Sequence, residues 1–460
     1  MKSKTFAVSG FALVMLLFAG ACSGKRSVPA ESFSSEEPRG WMSLVLRRVQ
    51  AQGLNPAQAS RVFAYSGVAL YEAAVPGMKG RRSLSGQLNG LATVPRPASG
   101  TYDWPAAQSA AVLRVLGRLF NNSPGSLSTF AMYYGAQMSA RGAAGVGKDT
   151  LARSVAFGNA VGDAIVAWSA ADQFDWTRGE TFKMAATVEH WVPTGTGVPK
   201  LPPAEPYWGT LRRFALASPT ACDPPPPVRY SEDPSSDFYK QANIVYQTSR
   251  AMTDEQRTIA EHWADNPGQS KTPPGHWMEI LTDLLVDRSM ADASEAYALT
   301  GVALGDAFIS CWQTKYRYQV LRPETYIRKV IDQGWFSALI SPQFPEYTSG
   351  HAVSSGAAAT VLRALFGDVP FTDRTKTKTT AKVATNVVAP RAFASFTAAA
   401  DEAANSRVLG GIHFPMSSNN GLAQGRCIGA AVLTNVRTRD NLPVANGAEA
   451  PMIASRSGTP

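Results

Sequence analysis

The chain has 460 residues, of which 45% are hydrophobic and 17% charged, with a formal net charge of +9. This composition excludes a disordered chain and allows one large buried core or two smaller ones. The basic runs at Gly24 to Ser27, Lys79 to Ser83 and Arg374 to Lys382 have no interleaved aromatics, so they read as solvated surface and not as a nucleic-acid face. The positive excess still favours anionic ligands.

In chain order, "MKSKTFAVSGFALVMLLFAGACSG" opens with two lysines, an apolar stretch from Phe6 to Phe18, and small residues before Cys22. It reads as an export signal occupying residues 1–22. Two processing routes fit it: lipidation of Cys22 as in a lipoprotein box, although Ala19 stands where Leu is usual, and ordinary cleavage after Ala21. Export predicts a periplasmic, extracellular or lipid-tethered protein. No later stretch is long and apolar enough to span a bilayer as a helix. Beyond Cys22 only Cys222, Cys311 and Cys427 remain, which permits at most one internal disulfide and leaves its pairing open.

Residues 23–40 are Ser- and Glu-rich and read as a polar linker. From Trp41 the body reads as helix. Apolar residues recur at three- and four-residue spacing in Trp104 to Phe120, Asp149 to Phe174, Thr253 to Asp265 and His276 to Met290. Thr253 and Gln256 form a capping box. Period-two alternation is nearly absent, so an all-α body is expected over residues 41–440, with a polar tail at 441–460. From about Trp176 to Tyr230 the helical pattern stops in favour of Pro and Gly, yet Trp191, Trp208 and Phe214 lie inside it. Such a segment is expected to pack across the body rather than hang free.

Three stretches carry chemistry. In "WQTKYRYQVLRPETY" (Trp312 to Tyr326), Lys315 and Arg322 stand two helical turns apart and would share one helix face, with Pro323 limiting the helix beyond them. A solvated basic face explains that spacing equally well, except that Trp312, Tyr316 and Tyr318 surround it. In "FPEYTSGHAVSSGAAATVL" (Phe344 to Leu362), Thr348 or Ser349 caps a helix of small residues, and a helix start gathers backbone N–H groups suited to an anion beside His351. By itself this is also what a capped core helix looks like. In "NSRVLGGIHFPMSSNNGLAQGR" (Asn405 to Arg426), Gly410 and Gly411 end a helix carrying Arg407, so that His413 enters from the turn.

Together the blocks read K-x6-R-P, T-S-G-H and S-R-x5-H. This resembles the superfamily of vanadium-dependent haloperoxidases and type 2 phosphatidic acid phosphatases, and Trp312 and Phe344 resemble the exported haloperoxidases in particular. The resemblance implies an all-α fold of helical bundles and an oxyanion cofactor, vanadate, or phosphate in a phosphatase. It implies that Lys315, Arg322, Ser349, Gly350 and Arg407 hold the oxyanion. His413 would be the vanadium ligand or the phosphoryl-accepting nucleophile, and His351 the general acid or base. Trp312 and Phe344 would line the pocket as a dry aromatic wall.

One position departs from the family. Where an Asp often follows the second histidine by four residues, this chain has Ser417, a weaker orienting partner. Asp401 or Glu402 would have to substitute, and His276, Trp263 and Asp265 are further candidates for supporting contacts. The leading reading is a vanadate-dependent haloperoxidase oxidising halide with hydrogen peroxide. An acid phosphatase acting on phosphate esters is the alternative, and a non-catalytic oxyanion-binding lipoprotein is the third reading.

Overall fold

Capped helices build the protein, as seen in a computed structural model that describes residues 27–440 apart from 186, 195–201, 219 and 376–388. The signal segment with Cys22, and the tail at 441–460, lie outside the described residues. The N-terminal half contains α1 (Glu36–Ala51), α2 (Pro56–Glu72), α3 (Trp104–Leu119), α4 (Pro124–Ala143), α5 (Lys148–Ala170) and the single turn α6 (Phe174–Thr177). After the Pro-rich crossing come α7 (Asp237–Arg250), α8 (Asp254–His262), α9 (Thr272–Leu284), α10 (Met290–Tyr318), α11 (Pro323–Val330) and α12 (Gly350–Phe366). Then α13 (Phe396–Leu409) and α14 (Pro415–Asn435) close the fold. Among the described residues the strand content is one antiparallel pair, β1 (Phe371–Asp373) with β2 (Arg391–Phe393).

The protein is therefore an all-α bundle fold, as the apolar periodicity predicts. Local chemistry sets the helix starts. Asn55 and Gln58 form a capping box on α2, Thr253 and Gln256 one on α8, and Asp103 accepts the Ala106 N–H at the start of α3. α1 begins at Glu36, ahead of Trp41, with Glu37 buried on it.

Two expected boundaries differ. The apolar pattern from His276 to Met290 is not one helix. α9 starts earlier, at Thr272, where Pro273 and Pro274 suit a first turn, and it stops at Leu284 before Asp287 takes a positive φ of 60° and Ser289 caps α10. The pattern from Asp149 to Phe174 breaks in the same way at Gln173, whose φ is 73°.

α10 is the axis of the fold. Nearly every residue on it from Met290 to Lys315 is buried, which is how a helix at the centre of a bundle must read. α2 packs along one side of it and α12 along another, with α3 and α5 outside α2, and α13 and α14 outside α12. The small residues of α12 are explained by α14. A Cβ on Gly425 would stand 2.1 Å from the Val353 carbonyl oxygen, so the two backbones meet in near contact. That contact brings both helix starts to one place, where the Ser349 N–H donates to the Ser417 carbonyl at 3.2 Å.

The Pro-rich crossing packs on the body. Trp191 and Trp208 are buried, and the Ala204 carbonyl accepts from Trp312 Nε1 at 3.2 Å and from the Tyr316 hydroxyl at 2.6 Å. Glu205, next in the chain, receives Asn55 Nδ2 and Gln58 Nε2 at 2.9 Å each, and also pairs with Arg178. A disulfide joins Cys222 in this crossing to Cys427 on α14, leaving Cys311 as a buried free thiol.

Candidate active site

Lys315 and Arg322 do not share a helix face. α10 ends at Tyr318, Gln319 turns the chain with a φ of 47°, and Arg322 is the extended N-cap residue held ahead of Pro323. The two cations converge instead on one loop, Phe344 to Thr348. Lys315 Nζ donates to the carbonyls of Pro345, Glu346 and Thr348 at 2.9, 3.0 and 2.6 Å. Arg322 donates to the Phe344 carbonyl through Nε and Nη2, at 3.1 and 2.8 Å, and through Nη1 to the Ile412 carbonyl at 2.8 Å. Phe344 lies under both charges, with Lys315 Nζ 5.0 Å and Arg322 Cζ 5.1 Å from its ring centre, and Trp312 packs on it at 4.8 Å.

Arg407 occupies the last turn of α13. It donates to Ser406 Oγ and to the Ala260 carbonyl, each at 2.9 Å, which leaves three of its five N–H groups for another partner. Arg322, Arg407 and Lys315 are at most 1% exposed, and among the described residues none forms a salt bridge to a carboxylate. Burial depresses all three: both arginines to about 10 and Lys315 to about 8. Each still carries its charge at neutral pH. Buried positive charge without a carboxylate partner fits an anion.

The helix start completes that side. Ser349 caps α12 by accepting the Ala352 N–H at a long 3.4 Å, which leaves its hydroxyl proton to donate. A Cβ on Gly350 would meet Phe308 and Trp312 only at 3.7 Å, so protein packing does not require glycine there. The space it leaves lies beside the α12 N-terminus, where a tetrahedral oxyanion needs room. Lys315 has all three N–H groups on carbonyls, so it acts as a fixed charge and as a clamp on the 345–348 loop rather than as a mobile donor.

His413 leaves the turn after Gly411, whose φ is 76°, and precedes α14. Its Nδ1 lies 2.9 Å from Glu346 Oε1, which also accepts the Phe414 N–H at 2.9 Å. Arg322 Nη1 lies 3.1 Å from His413 Nε2 and can only donate, so Nε2 bears the lone pair and Nδ1 the proton. Burial is the largest cause that holds this imidazole neutral, well below its ordinary range. The charges of Arg322, Lys315, His351 and Arg407 act in the same direction. His351, on the first turn of α12, is half-buried, and its Nε2 is 3.8 Å from Asp265 Oδ2.

Sequence reasoning missed Glu346. It is fully buried, and burial raises its carboxyl to about 7, with Arg322 acting against the rise. Its Oε1 is the carboxylate oxygen that holds His413 Nδ1, the part the sequence leaves open at Ser417. Ser417 Oγ is 3.3 Å from His413 Nδ1 and 3.4 Å from the Glu346 carbonyl, two weak contacts. Asp401 and Glu402 do not substitute: Asp401 pairs with Arg426 on the surface, and Glu402 binds Arg391 and Trp263 Nε1. Trp263 stacks on His276, with ring centres 4.5 Å apart.

His276 Nδ1 bonds Asp265 Oδ2 at 2.9 Å, and its Nε2 lies 2.6 Å from Asp373 Oδ2. His262 Nε2 reaches the same Asp373 oxygen at 2.8 Å. Asp373 and His262 carry no motif signal, because tertiary packing brings together the end of α8, the middle of α9 and β1.

Comparison with known proteins agrees with this geometry. Residues 295–440 match the model of the VCPO second helical-bundle domain. Over 212 residues the chain is 25% identical to the vanadium chloroperoxidase of Curvularia inaequalis, covering 37% of this chain and 34% of that protein, so the match spans about a third of the relative's length. The crystal structure of a bacterial vanadium-dependent iodoperoxidase superimposes with a TM-score of 0.80 at 34% identity, over 89% of this chain and 98% of that one. A bacterial vanadium-dependent chloroperoxidase in its holo form, 15% identical, shares the fold with a TM-score of 0.63 over 83% of this chain and 93% of its own.

Proposed function

The chain belongs to the family of vanadium-dependent haloperoxidases, and from that premise we propose that it is an exported enzyme that oxidises a halide with hydrogen peroxide, using vanadate as its cofactor. The observation that carries this reading is the His413 imidazole: Glu346 fixes the proton on Nδ1, so Nε2 presents a lone pair among three buried cations. A metal ligand needs that tautomer. Arg322, Arg407, Ser349 and the Gly350 N–H would hold the oxyanion, with Lys315 supplying fixed charge. When bound, vanadate supplies a Lewis-acid centre that activates peroxide toward halide. His351, across from His413, holds or gives the proton that peroxide cleavage requires. Trp312 and Phe344 keep the pocket wall apolar.

The structural relative of 34% identity is an iodoperoxidase by name, which supports iodide as the preferred halide. Export is supported by the N-terminal signal pattern and by the Cys222–Cys427 disulfide, which an oxidising compartment would preserve. Mass spectrometry of the mature N-terminus would separate lipidation at Cys22 from cleavage after Ala21.

Purified protein should oxidise iodide with hydrogen peroxide only after orthovanadate is supplied, and should hydrolyse p-nitrophenyl phosphate weakly or not at all. Vigorous phosphatase activity with no halide oxidation would overturn the reading in favour of a phosphatase. Vanadate binding with neither activity would make the protein a non-catalytic binder.

A further inference from the structure

A buried chain of alternating imidazoles and carboxylates leads away from His351. Asp265 Oδ2 lies 3.8 Å from His351 Nε2 and 2.9 Å from His276 Nδ1. His276 Nε2 continues to Asp373 Oδ2 at 2.6 Å and to the Thr375 hydroxyl at 2.9 Å. Asp265, His276, Asp373 and Thr375 are each at most 5% exposed. A small crevice reaches this group from outside, running from the exposed Gln269 past Lys271 and Glu279 to Asp265, His276 and Thr375. Lys271 and Glu279 pair with each other at 2.8 Å.

The reaction proposed above consumes a proton. Each turnover takes two electrons from a halide ion, breaks the O–O bond of one hydrogen peroxide, and takes up one proton to give one hypohalous acid and one water. Lys315, Arg322 and Arg407 all act on His413 with positive charge, which repels an incoming proton. The chain that starts at His351 Nε2 instead contains two carboxylates, Asp265 and Asp373.

Resting on that reading of the function, we propose that His276 is the proton donor to His351, acting through Asp265 and refilled from the Thr375 side by way of the crevice. A proton given up by His351 is replaced at Nε2 from Asp265 Oδ2. That carboxylate first takes the Nδ1 proton of the charged His276, which keeps its Nε2 proton, and a turn of the His276 ring then presents the bare nitrogen to the Thr375 hydroxyl for reprotonation from the crevice. A turn of the half-buried His351 ring, or one water, closes the 3.8 Å step.

Among the described residues, the charged and titratable groups around the path are Asp265, Asp373 and His262, with Arg407 bearing on Asp265, the Lys271–Glu279 pair at the crevice, and His413, on which His351 acts. Burial works against a charge on His276, but Asp265 and Asp373 outweigh it and hold its pKa at about 9, so it is charged and ready to donate at neutral pH. His276 is thus a positioning and supply residue, and His351 remains the group that faces the reaction.

The chain has five histidines, so single His→Gln variants assign every imidazole signal in an NMR titration of the full protein. In His276→Gln the midpoint of His351 should move up, because a nearby positive charge is lost, and in Asp265→Asn it should move down. With vanadate and iodide, His276→Gln should lose about tenfold or more in kcat above neutral pH, with KM for peroxide and vanadate affinity little changed. An unmoved His351 midpoint in both variants overturns the proposal, as does a wild-type kcat–pH profile in His276→Gln. Stoichiometric Zn2+ uptake by wild type that is lost in His276→Gln also overturns it, since a metal on this imidazole blocks the path. A wild-type protein inert toward halide would overturn the functional reading, whereas active wild type with an unaffected His276→Gln variant overturns this proposal alone.

Discussion

Glu346 and His413 are 67 residues apart in sequence and form a buried pair, Oε1 to Nδ1 at 2.9 Å, that fixes which imidazole nitrogen carries the proton. The pair supplies the carboxylate partner that the position of Ser417 lacks. It also ties the 345–348 loop to the start of α14, because the same oxygen accepts the Phe414 N–H.

Removing the carboxylate should therefore weaken cofactor retention more than removing the nearby hydroxyl. Glu346→Ala is expected to lose about 10- to 100-fold in vanadate affinity, the usual cost of deleting an outer partner of a metal-bound histidine. Ser417→Ala, which loses only contacts of 3.3 and 3.4 Å, should stay within about threefold of wild type. Orthovanadate titration by calorimetry measures both, and equal losses would show that Ser417 does the orienting.

Arg322→Ala and Arg407→Ala should each weaken vanadate binding by about 1.5–3 kcal/mol, the worth of a charge-assisted hydrogen bond in a desolvated site. Arg407→Ala is the cleaner probe, because among the described residues Arg407 spends two of its donors on the protein. Arg322 also holds the Phe344 and Ile412 carbonyls, so its variant should lower the melting temperature as well. Unchanged affinity in both variants would place the oxyanion elsewhere.

The two histidines should separate. His413→Ala is expected to lose vanadate binding and activity together. His351→Ala should keep most binding while turnover falls on the order of 10²-fold or more, as for a positioned general acid–base. Vanadate titration of each variant, with halide oxidation measured at saturation, distinguishes them, and retention of vanadate by His413→Ala alone would reverse the roles.

Stability should depend on pH through His276. Its folded pKa of about 9 lies above the ordinary 6.5, so its contribution is complete below pH 6.5 and is lost as the pH rises through 9. The melting temperature of wild type should decline across that interval, and His276→Gln should flatten the decline. An equal slope in the variant would assign the pH dependence to other groups.

The motif residues were legible because their spacing is fixed by chemistry: Ser349, Gly350 and His351 share one helix start, and Arg407 and His413 flank one glycine turn. The relation of Lys315 to Arg322 was misread as a helix face, because nothing in the residue pattern announces the left-handed Gln319 that ends α10. Glu346 gives no signal of its own between Pro345 and Tyr347, since a carboxylate acquires its role only when tertiary packing delivers an imidazole to it. Asp373 was invisible for the same reason. It meets His262 and His276 from positions 111 and 97 residues away, and no local period reports a contact of that range.

The crossing that places the Ala204 carbonyl against Trp312 and Tyr316 belongs to neither helical layer, yet it holds one wall of the pocket. It is anchored by Glu205 on one side and by the Cys222–Cys427 bridge further on. Substitutions in it would alter the support of Trp312 while α10, the start of α11, α12, α13 and the turn before α14 keep the cations and histidines in place. A change of access to Trp312 and Phe344 can thus be confined to the crossing, without altering the bundle that would hold the oxyanion.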